Sequence, residues 1–250
     1  MKKASEIFKV ETVLFIRGFF GFFFTFVFPS LMLLLYGSIY GNEPSAYFGG
    51  QGAMDVSVPA YSAMIIGVTG LMAFPLTLSS YKEGRIYKRF DATPAGKGLV
   101  VAMQALVNLV MTAAGFALLF IVGRIVYDVR FAGRWFPMAM ALLMSISAIF
   151  SLGFLFTAVA PTAKITNLLC YVTYFTMLFL SGSTIPMELL PESIAKFSGF
   201  LPLTHVVRVL QGTFRGAAFG DYQASVAILA LLTTACAVAG AILYRKKSWS

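Results

Sequence analysis

The sequence predicts an all-α membrane protein with six transmembrane helices, and two observations lead to that prediction. First, hydrophobic residues make up 59% of the 250 positions and charged residues only 12%, with a mean hydropathy of +0.83. Soluble domains average roughly 25% charged residues, so lipid must cover much of this surface. Second, six stretches reach the roughly 20 apolar residues that a helix needs to cross a hydrocarbon core about 30 Å thick.

The six predicted spans follow one another along the chain. Their apolar stretches cover residues 18–40, 59–80, 99–122, 135–160, 165–183 and 223–244. Pro29 and Pro75 fall inside the first two spans and are expected to kink them, which membrane helices tolerate. We therefore interpret residues 1–250 as one transmembrane domain, in which 18–183 holds five spans and 223–250 holds the sixth with a basic tail.

Residues 1–17 precede the first span and are too polar to cross a bilayer. Ile7, Val10 and Leu14 recur at helical spacing, with Lys3 and Lys9 among the polar positions. This amphipathic pattern predicts a helix that lies in the inner membrane interface.

Residues 184–222 form a second segment that is not expected to span. The segment is semi-apolar, but Pro186, Pro191 and Pro202 interrupt it. It is too broken to cross the bilayer and too apolar for a free loop, so we expect a re-entrant or surface-lying helical hairpin on the outer side.

The distribution of positive charge orients the chain. With both termini inside, 13 of the 19 lysines and arginines lie on the inner side and 6 on the outer side, whereas the acidic residues divide as 4 and 6. The arginines of the loop after the third span oppose the rule without changing the total. The sequence therefore predicts a multi-pass cell-membrane protein with both termini in the cytoplasm, and no nucleic-acid partner is needed to explain the basic charge.

The chain lacks the motifs of an energy source. Gly96-Lys97 is not followed by Ser or Thr, so no phosphate-binding G-x-x-x-x-G-K-[ST] loop is present. No H-E-x-x-H sequence or cysteine cluster offers a metal site, and the middle of each span is nearly free of ionisable residues, which ion-coupled carriers need. We expect no cofactor or metal in this chain, and any energy for transport to come from a partner protein.

Two further patterns permit more than one interpretation. Ser183 and His205 could form the pair of an intramembrane serine hydrolase, but a small-residue helix end and an interfacial histidine are the favoured interpretation, because one Ser and one His are expected by chance in a chain of this length. Tyr171, Phe175 and Phe179 share one face of the fifth span, where they either pack against helices and lipid or contact a ligand.

The loop after the second span alternates apolar and basic residues. Residues 86, 87 and 90 fall on one helical face and 82, 85 and 89 on the other, and Pro94 ends the pattern. A short charged helix joined to two spans is suited to receive a push from a cytoplasmic partner. The alternative is an ordinary basic loop.

This loop resembles the cytoplasmic loop of type-2 ABC transporter permeases, through Glu83-Gly84-Arg85, Lys88-Arg89 and Ala92-Thr93-Pro94. A second stretch resembles the segment before the family's last span, through Leu180-Ser181-Gly182-Ser183, Pro186, Pro191-Glu192 and Leu201-Pro202-Leu203-Thr204-His205. Arg85 and Phe90 depart from the family pattern, and we expect them to influence which ATPase fits.

The resemblance implies a permease that pairs with a second permease chain, identical or different, and with two separate cytoplasmic ATPases that bind ATP and magnesium. It assigns two sets of residues. Coupling to the ATPase falls to Lys82, Glu83, Gly84, Arg85, Lys88 and Arg89, and the outer re-entrant hairpin includes Ser181, Gly182, Pro186, Pro191 and Pro202. From the aromatic face of the fifth span we further expect the substrate pathway and its gate at Tyr171, Phe175, Phe179 and Leu180.

The expected substrate is hydrophobic or amphipathic: a drug, an antibiotic or a lipid-like molecule. The absence of charge within the spans and the aromatic face of the fifth span favour it. A glycan or lipid-linked polysaccharide is the alternative substrate, and a sensor or assembly subunit without transport activity is the alternative role.

Overall fold

The computed structural model describes residues 2–91, 96–184 and 192–246. Within these residues, the short strands β1 (Pro44–Ser45) and β2 (Gln51–Gly52) pair antiparallel, and all the long elements are helices. The helices are α1 (Lys2–Arg17), α2 (Phe19–Tyr40), α3 (Ala53–Glu83), α4 (Ile86–Asp91), α5 (Gly96–Tyr127), α6 (Trp135–Val159), α7 (Ala163–Leu180), α8 (Glu192–Ser198), α9 (Pro202–Arg215) and α10 (Gln223–Lys246).

Six of the described helices are long and apolar enough to cross a membrane, namely α2, α3, α5, α6, α7 and α10. This confirms the predicted all-α class with six spans. The largest difference in bounds is at α3, which begins six residues before the predicted 59–80 and ends three residues after it. Hydropathy detects only the apolar middle of a helix, and the ends of α3 are held by polar contacts instead.

Polar side chains from the preceding loop fix the start of α3. The Asn42 side-chain oxygen accepts hydrogen bonds from the backbone N–H groups of Met54 (2.9 Å) and Asp55 (3.2 Å). These are two of the N–H groups that the first turn of a helix leaves unpaired. Asp55 in turn accepts the backbone N–H of Arg130 at 2.8 Å, so the loops before α3 and after α5 meet at this end.

The two prolines predicted to disturb the spans each follow a π-helical turn. Phe23–Val27 is π-helical ahead of Pro29, and Thr69–Ala73 is π-helical ahead of Pro75. Proline lacks an N–H, and its ring crowds the carbonyl four residues earlier. A wider turn accommodates both effects without ending the helix.

Helix α3 lies at the centre of the bundle. Of its most apolar 18-residue window, 83% is buried, compared with 17% for α2 and for α10. It contacts α2, α5, α6, α7 and α9. The core of the protein is therefore built around α3, and the outer helices leave broad apolar faces open.

Glycines allow α3 and α6 to approach closely. A Cβ placed on Gly153 of α6 would collide with the carbonyl oxygen of Gly70 in α3, and a Cβ on Gly70 would lie 2.7 Å from the Phe150 ring. Small residues at such a crossing let two backbones touch, as is common between membrane helices.

We expect Gly153→Val to destabilise the fold by about 2 kcal/mol or more, because the backbone of α3 cannot move aside. The matched control is Gly98→Val, since a Cβ at the exposed Gly98 meets no atom within 4 Å. Thermal unfolding of the two variants in detergent, monitored by size-exclusion chromatography, tests this. Equal unfolding midpoints would show that the crossing is not tightly packed.

Candidate functional site

The predicted coupling loop consists of two structural pieces. Helix α3 continues to Glu83, the chain turns at Gly84 and Arg85, and α4 begins at Ile86. Arg85 has a φ of 53°, which an α-helix does not permit. Residues 92–94, the end of the predicted pattern, lie outside the described residues.

Helix α4 is divided into a buried and an exposed face, as its pattern predicts. Tyr87 is only 2% exposed, Ile86 and Phe90 are half-buried, and Lys88 and Arg89 are exposed. The Tyr87 hydroxyl donates a hydrogen bond to the Gln104 side-chain oxygen of α5 at 2.9 Å. Helix α4 is thus attached to the bundle through Tyr87 and presents positive charge outward.

Lys82 and Glu83 contact the turn between α6 and α7. The Lys82 ammonium lies 3.4 Å from the carbonyl oxygens of Thr157 and Ala160, at the end of α6. A Glu83 carboxylate oxygen accepts the backbone N–H of Ala163 at 2.9 Å, at the start of α7. Each charge is opposite in sign to the partial charge of the helix end that it meets, so both side chains stabilise the contact between the end of α3 and this turn.

Of the six predicted coupling residues, the exposed cationic side chains are therefore those of Arg85, Lys88 and Arg89. Sequence reasoning could not separate them from Lys82 and Glu83, because the partners of those two side chains are backbone atoms 75 to 80 residues away.

Helix α1 packs against α5, and most of the apolar face that its pattern predicts for the membrane interface stays uncovered. Phe15 is buried, whereas Val10 and Leu14 are 56% and 47% exposed. The apolar residues of α1 therefore serve two surfaces, one against the protein and one open. An open apolar face suits a helix that lies against lipid, and its membrane position stays a prediction.

Glu11 of α1 is buried among polar side chains, and sequence reasoning did not single it out. It is 6% exposed and accepts hydrogen bonds from the Gln104 amide at 3.3 Å and from Tyr81. Burial raises the pKa of the Glu11 carboxyl, and the bonds from Tyr81 and Gln104 partly oppose that rise. Because Gln104 also binds Tyr87, this polar cluster joins α1, α3, α4 and α5.

The structure does not bring Ser183 and His205 together. His205 Nε2 lies 3.0 Å from the Gly199 carbonyl oxygen, which can only accept, so this nitrogen carries the proton. His205 Nδ1 then accepts from the Ser225 hydroxyl at 3.0 Å, and burial lowers the pKa of the ring. The Ser183 hydroxyl donates to the Leu178 carbonyl at 2.9 Å. Ser183 and His205 therefore do not form a hydrolase pair, and that interpretation of the two residues is wrong.

The segment before the last span contains two helices, α8 and α9, within its described part. Pro202 is the first residue of α9, a position that suits proline because no N–H is needed there. Helix α7 ends at Leu180, and Ser181 and Gly182 form the turn that follows, with a φ of 80° at Gly182. Pro186 and Pro191 lie outside the described residues, and the re-entrant role stays a prediction.

The predicted aromatic face of α7 is largely uncovered. Phe175 and Phe179 are 41% and 52% exposed, and Tyr171 is half-buried beside them. The neighbouring Tyr174 points the other way and is fully buried. The row therefore belongs to an open apolar face, available to lipid, to a second chain or to a substrate.

These features define the chain as a multi-pass, all-helical membrane protein with a cationic helix between its second and third spans. It belongs to the ABC-2 type transporter family, whose profile matches residues 4–215, and it is therefore the membrane component of a transport system. The predicted family is thereby confirmed.

A curated relative is nodulation protein J of Rhizobium leguminosarum bv. viciae, which is 27% identical over 97 residues. The match covers 39% of this chain and 38% of that protein's length.

Proposed function

We propose that this chain is the permease subunit of an ATP-driven exporter that moves a hydrophobic or amphipathic substrate out of the cytoplasm or the inner leaflet. Two separate ATPases supply the energy, and a second permease chain completes the pathway. The observation that supports this most strongly is α4, whose buried face contacts α3 and α5 while Lys88 and Arg89 are exposed.

In this proposal three exposed cationic side chains contact the ATPase, and two charged side chains that are hydrogen-bonded to the turn between α6 and α7 transmit its movement. Arg85, Lys88 and Arg89 dock against an acidic surface of the ATPase, where complementary charge selects the partner. Lys82 and Glu83 pass the motion to the turn between α6 and α7 through the contacts described above. In this proposal both termini and α4 lie on the cytoplasmic side, because the segments assigned to that side carry most of the lysines and arginines.

We expect Arg89→Glu to reduce ATPase binding at least about tenfold, because a charge reversal at a docking surface repels the acidic partner. The matched control is Lys196→Glu, an exposed lysine on α8 beyond the proposed coupling side. Tagged variants purified from native membranes are compared for co-purified ATPase and ATP hydrolysis at equal permease amounts. Normal hydrolysis with Arg89→Glu would remove α4 from the coupling surface.

The substrate pathway is proposed to lie between the two permease chains along the open face of α7. Large rigid rings bind apolar ligands at low entropic cost, and Phe175 and Phe179 are exposed on that face. Phe179 and Leu180 lie where α7 ends, which is a suitable place for a gate. A glycan is the second candidate substrate, because sugar rings can stack on the same two phenylalanine rings.

We expect Phe175→Ala to weaken apparent substrate affinity several-fold with basal ATP hydrolysis intact, and Phe179→Ala to raise hydrolysis without substrate. The control is Leu231→Ala on α10, whose side chain is 71% exposed away from the proposed pathway. ATP hydrolysis is measured against the concentration of a lipophilic dye and, separately, of a short oligosaccharide. If all three variants match the unmodified complex, α7 only packs against lipid or protein.

A further inference from the structure

A cavity of about 170 Å³ lies between α1, the start of α2, the second half of α3 and α5. Its walls include the side chains of Glu11, Leu14, Phe20, Thr77 and Asn108, together with Gly21. None of the residues assigned to coupling or to the substrate pathway lines it. The cavity is therefore separate from the proposed export function.

Three side chains on the walls of this cavity, Glu11, Thr77 and Asn108, offer oxygen atoms that can accept hydrogen bonds. The Asn108 amide nitrogen donates to the Gln104 carbonyl at 2.9 Å, but its oxygen has no partner among the described residues although the side chain is only 5% exposed. The Thr77 hydroxyl donates its hydrogen bond to the Ala73 carbonyl, so towards a ligand its oxygen can only accept. Buried acceptors without donors are unfavourable, so a ligand rich in donors fits this cavity.

Charge narrows the choice of ligand. Glu11 forms no ion pair with a lysine or arginine in the described part of the chain. A carboxylate offers about four acceptor positions, and the bonds from Gln104 and Tyr81 use two of them. A cation with N–H groups can occupy the remaining positions and reach the Asn108 oxygen as well.

The surroundings indicate that the cation belongs to an amphiphile. Helix α5 has 32 residues and is about 48 Å long, so it extends past a core about 30 Å thick. Asn108 is the thirteenth residue of α5 and lies about 18 Å from the start of that helix, so the cavity adjoins the membrane-spanning part of α5. At the cavity wall, Leu14 and Phe20 are 47% and 61% exposed, which offers an apolar tail a route to lipid.

We propose that this cavity binds the primary ammonium group of an amphiphile, which donates to the Glu11 carboxylate and the Asn108 side-chain oxygen while its tail lies along Leu14 and Phe20. A trimethylammonium group has no N–H and leaves Asn108 without a donor. A membrane lipid with an ethanolamine head group and a single-chain alkylamine both carry the required chemistry.

The test compares lipids that differ only in this group. The full chain is purified in micelles containing equal amounts of dioleoyl phosphatidylethanolamine and dioleoyl phosphatidylcholine, and bound lipid is counted by native mass spectrometry. We expect the ethanolamine lipid to be enriched about tenfold. Glu11→Gln should abolish the enrichment, whereas Glu6→Gln, an exposed carboxylate on the same helix, should preserve it.

Gly21→Leu is a second variant that is designed to fill the cavity. It keeps both proposed acceptors, the Glu11 carboxylate and the Asn108 side-chain oxygen. A Cβ at Gly21 lies 3.6 Å from the Phe15 ring, an ordinary contact, so a larger side chain enters the cavity. It should also abolish the enrichment. If that variant fails to fold, Asn108→Leu replaces it with the same expectation.

A further experiment identifies which amphiphile supplies the ammonium group. Dodecylamine is added to the protein in micelles that contain the phosphatidylcholine as their only phospholipid. Binding of both ethanolamine lipid and dodecylamine, or of either one, with loss in Glu11→Gln, supports the ammonium site and shows which amphiphile enters it. Equal retention of the two phospholipids without dodecylamine binding would overturn the proposal. So would an ethanolamine preference that survives both Glu11→Gln and the cavity variant.

Discussion

Burial of α3 on nearly every side constrains the rest of the molecule. Close-packed helices shift between discrete arrangements rather than deform gradually, so a displacement of α3 must be shared by the helices that contact it. The touching backbones at Gly70 and Gly153 leave no slack between α3 and α6. Polar contacts hold both ends of α3, through Asn42 at the start and through Lys82 and Glu83 at the end.

The end of α3 is where this constraint meets the proposed function. A push on α4 has two routes into the bundle. One passes through Tyr87 and Gln104 to α5. The other passes through Lys82 and Glu83 to the turn that starts α7, the helix with the open aromatic face.

Much of the fold was predictable because apolar length alone identifies a membrane span. The disturbances at Pro29 and Pro75 were also predictable, since they follow from the missing N–H of proline. The contact of α1 with α5 was not, because this helix carries apolar residues on two sides and only the folded chain shows that Phe15 packs beside Val107 and Met111 of α5.

The candidate site was predictable only in part. The amphipathic pattern of α4 gave its exposed charges, but the roles of Glu11, Gln104 and Asn108 depend on contacts across up to 93 residues. The residue types permitted a pair between Ser183 and His205, whereas in the folded chain His205 is hydrogen-bonded to Ser225 and Gly199. Local pattern cannot decide between partners that only the fold brings close.

The most direct measurement of the central claim is a double-mutant cycle on the hydrogen bond between Tyr87 and Gln104. Substrate-stimulated ATP hydrolysis is compared for Tyr87→Phe, Gln104→Leu and the double variant in the assembled complex. If this bond transmits the movement of α4, Tyr87→Phe should lower stimulation about fivefold alone and have little further effect beside Gln104→Leu. Equal effects in both backgrounds, or none in either, would contradict the account.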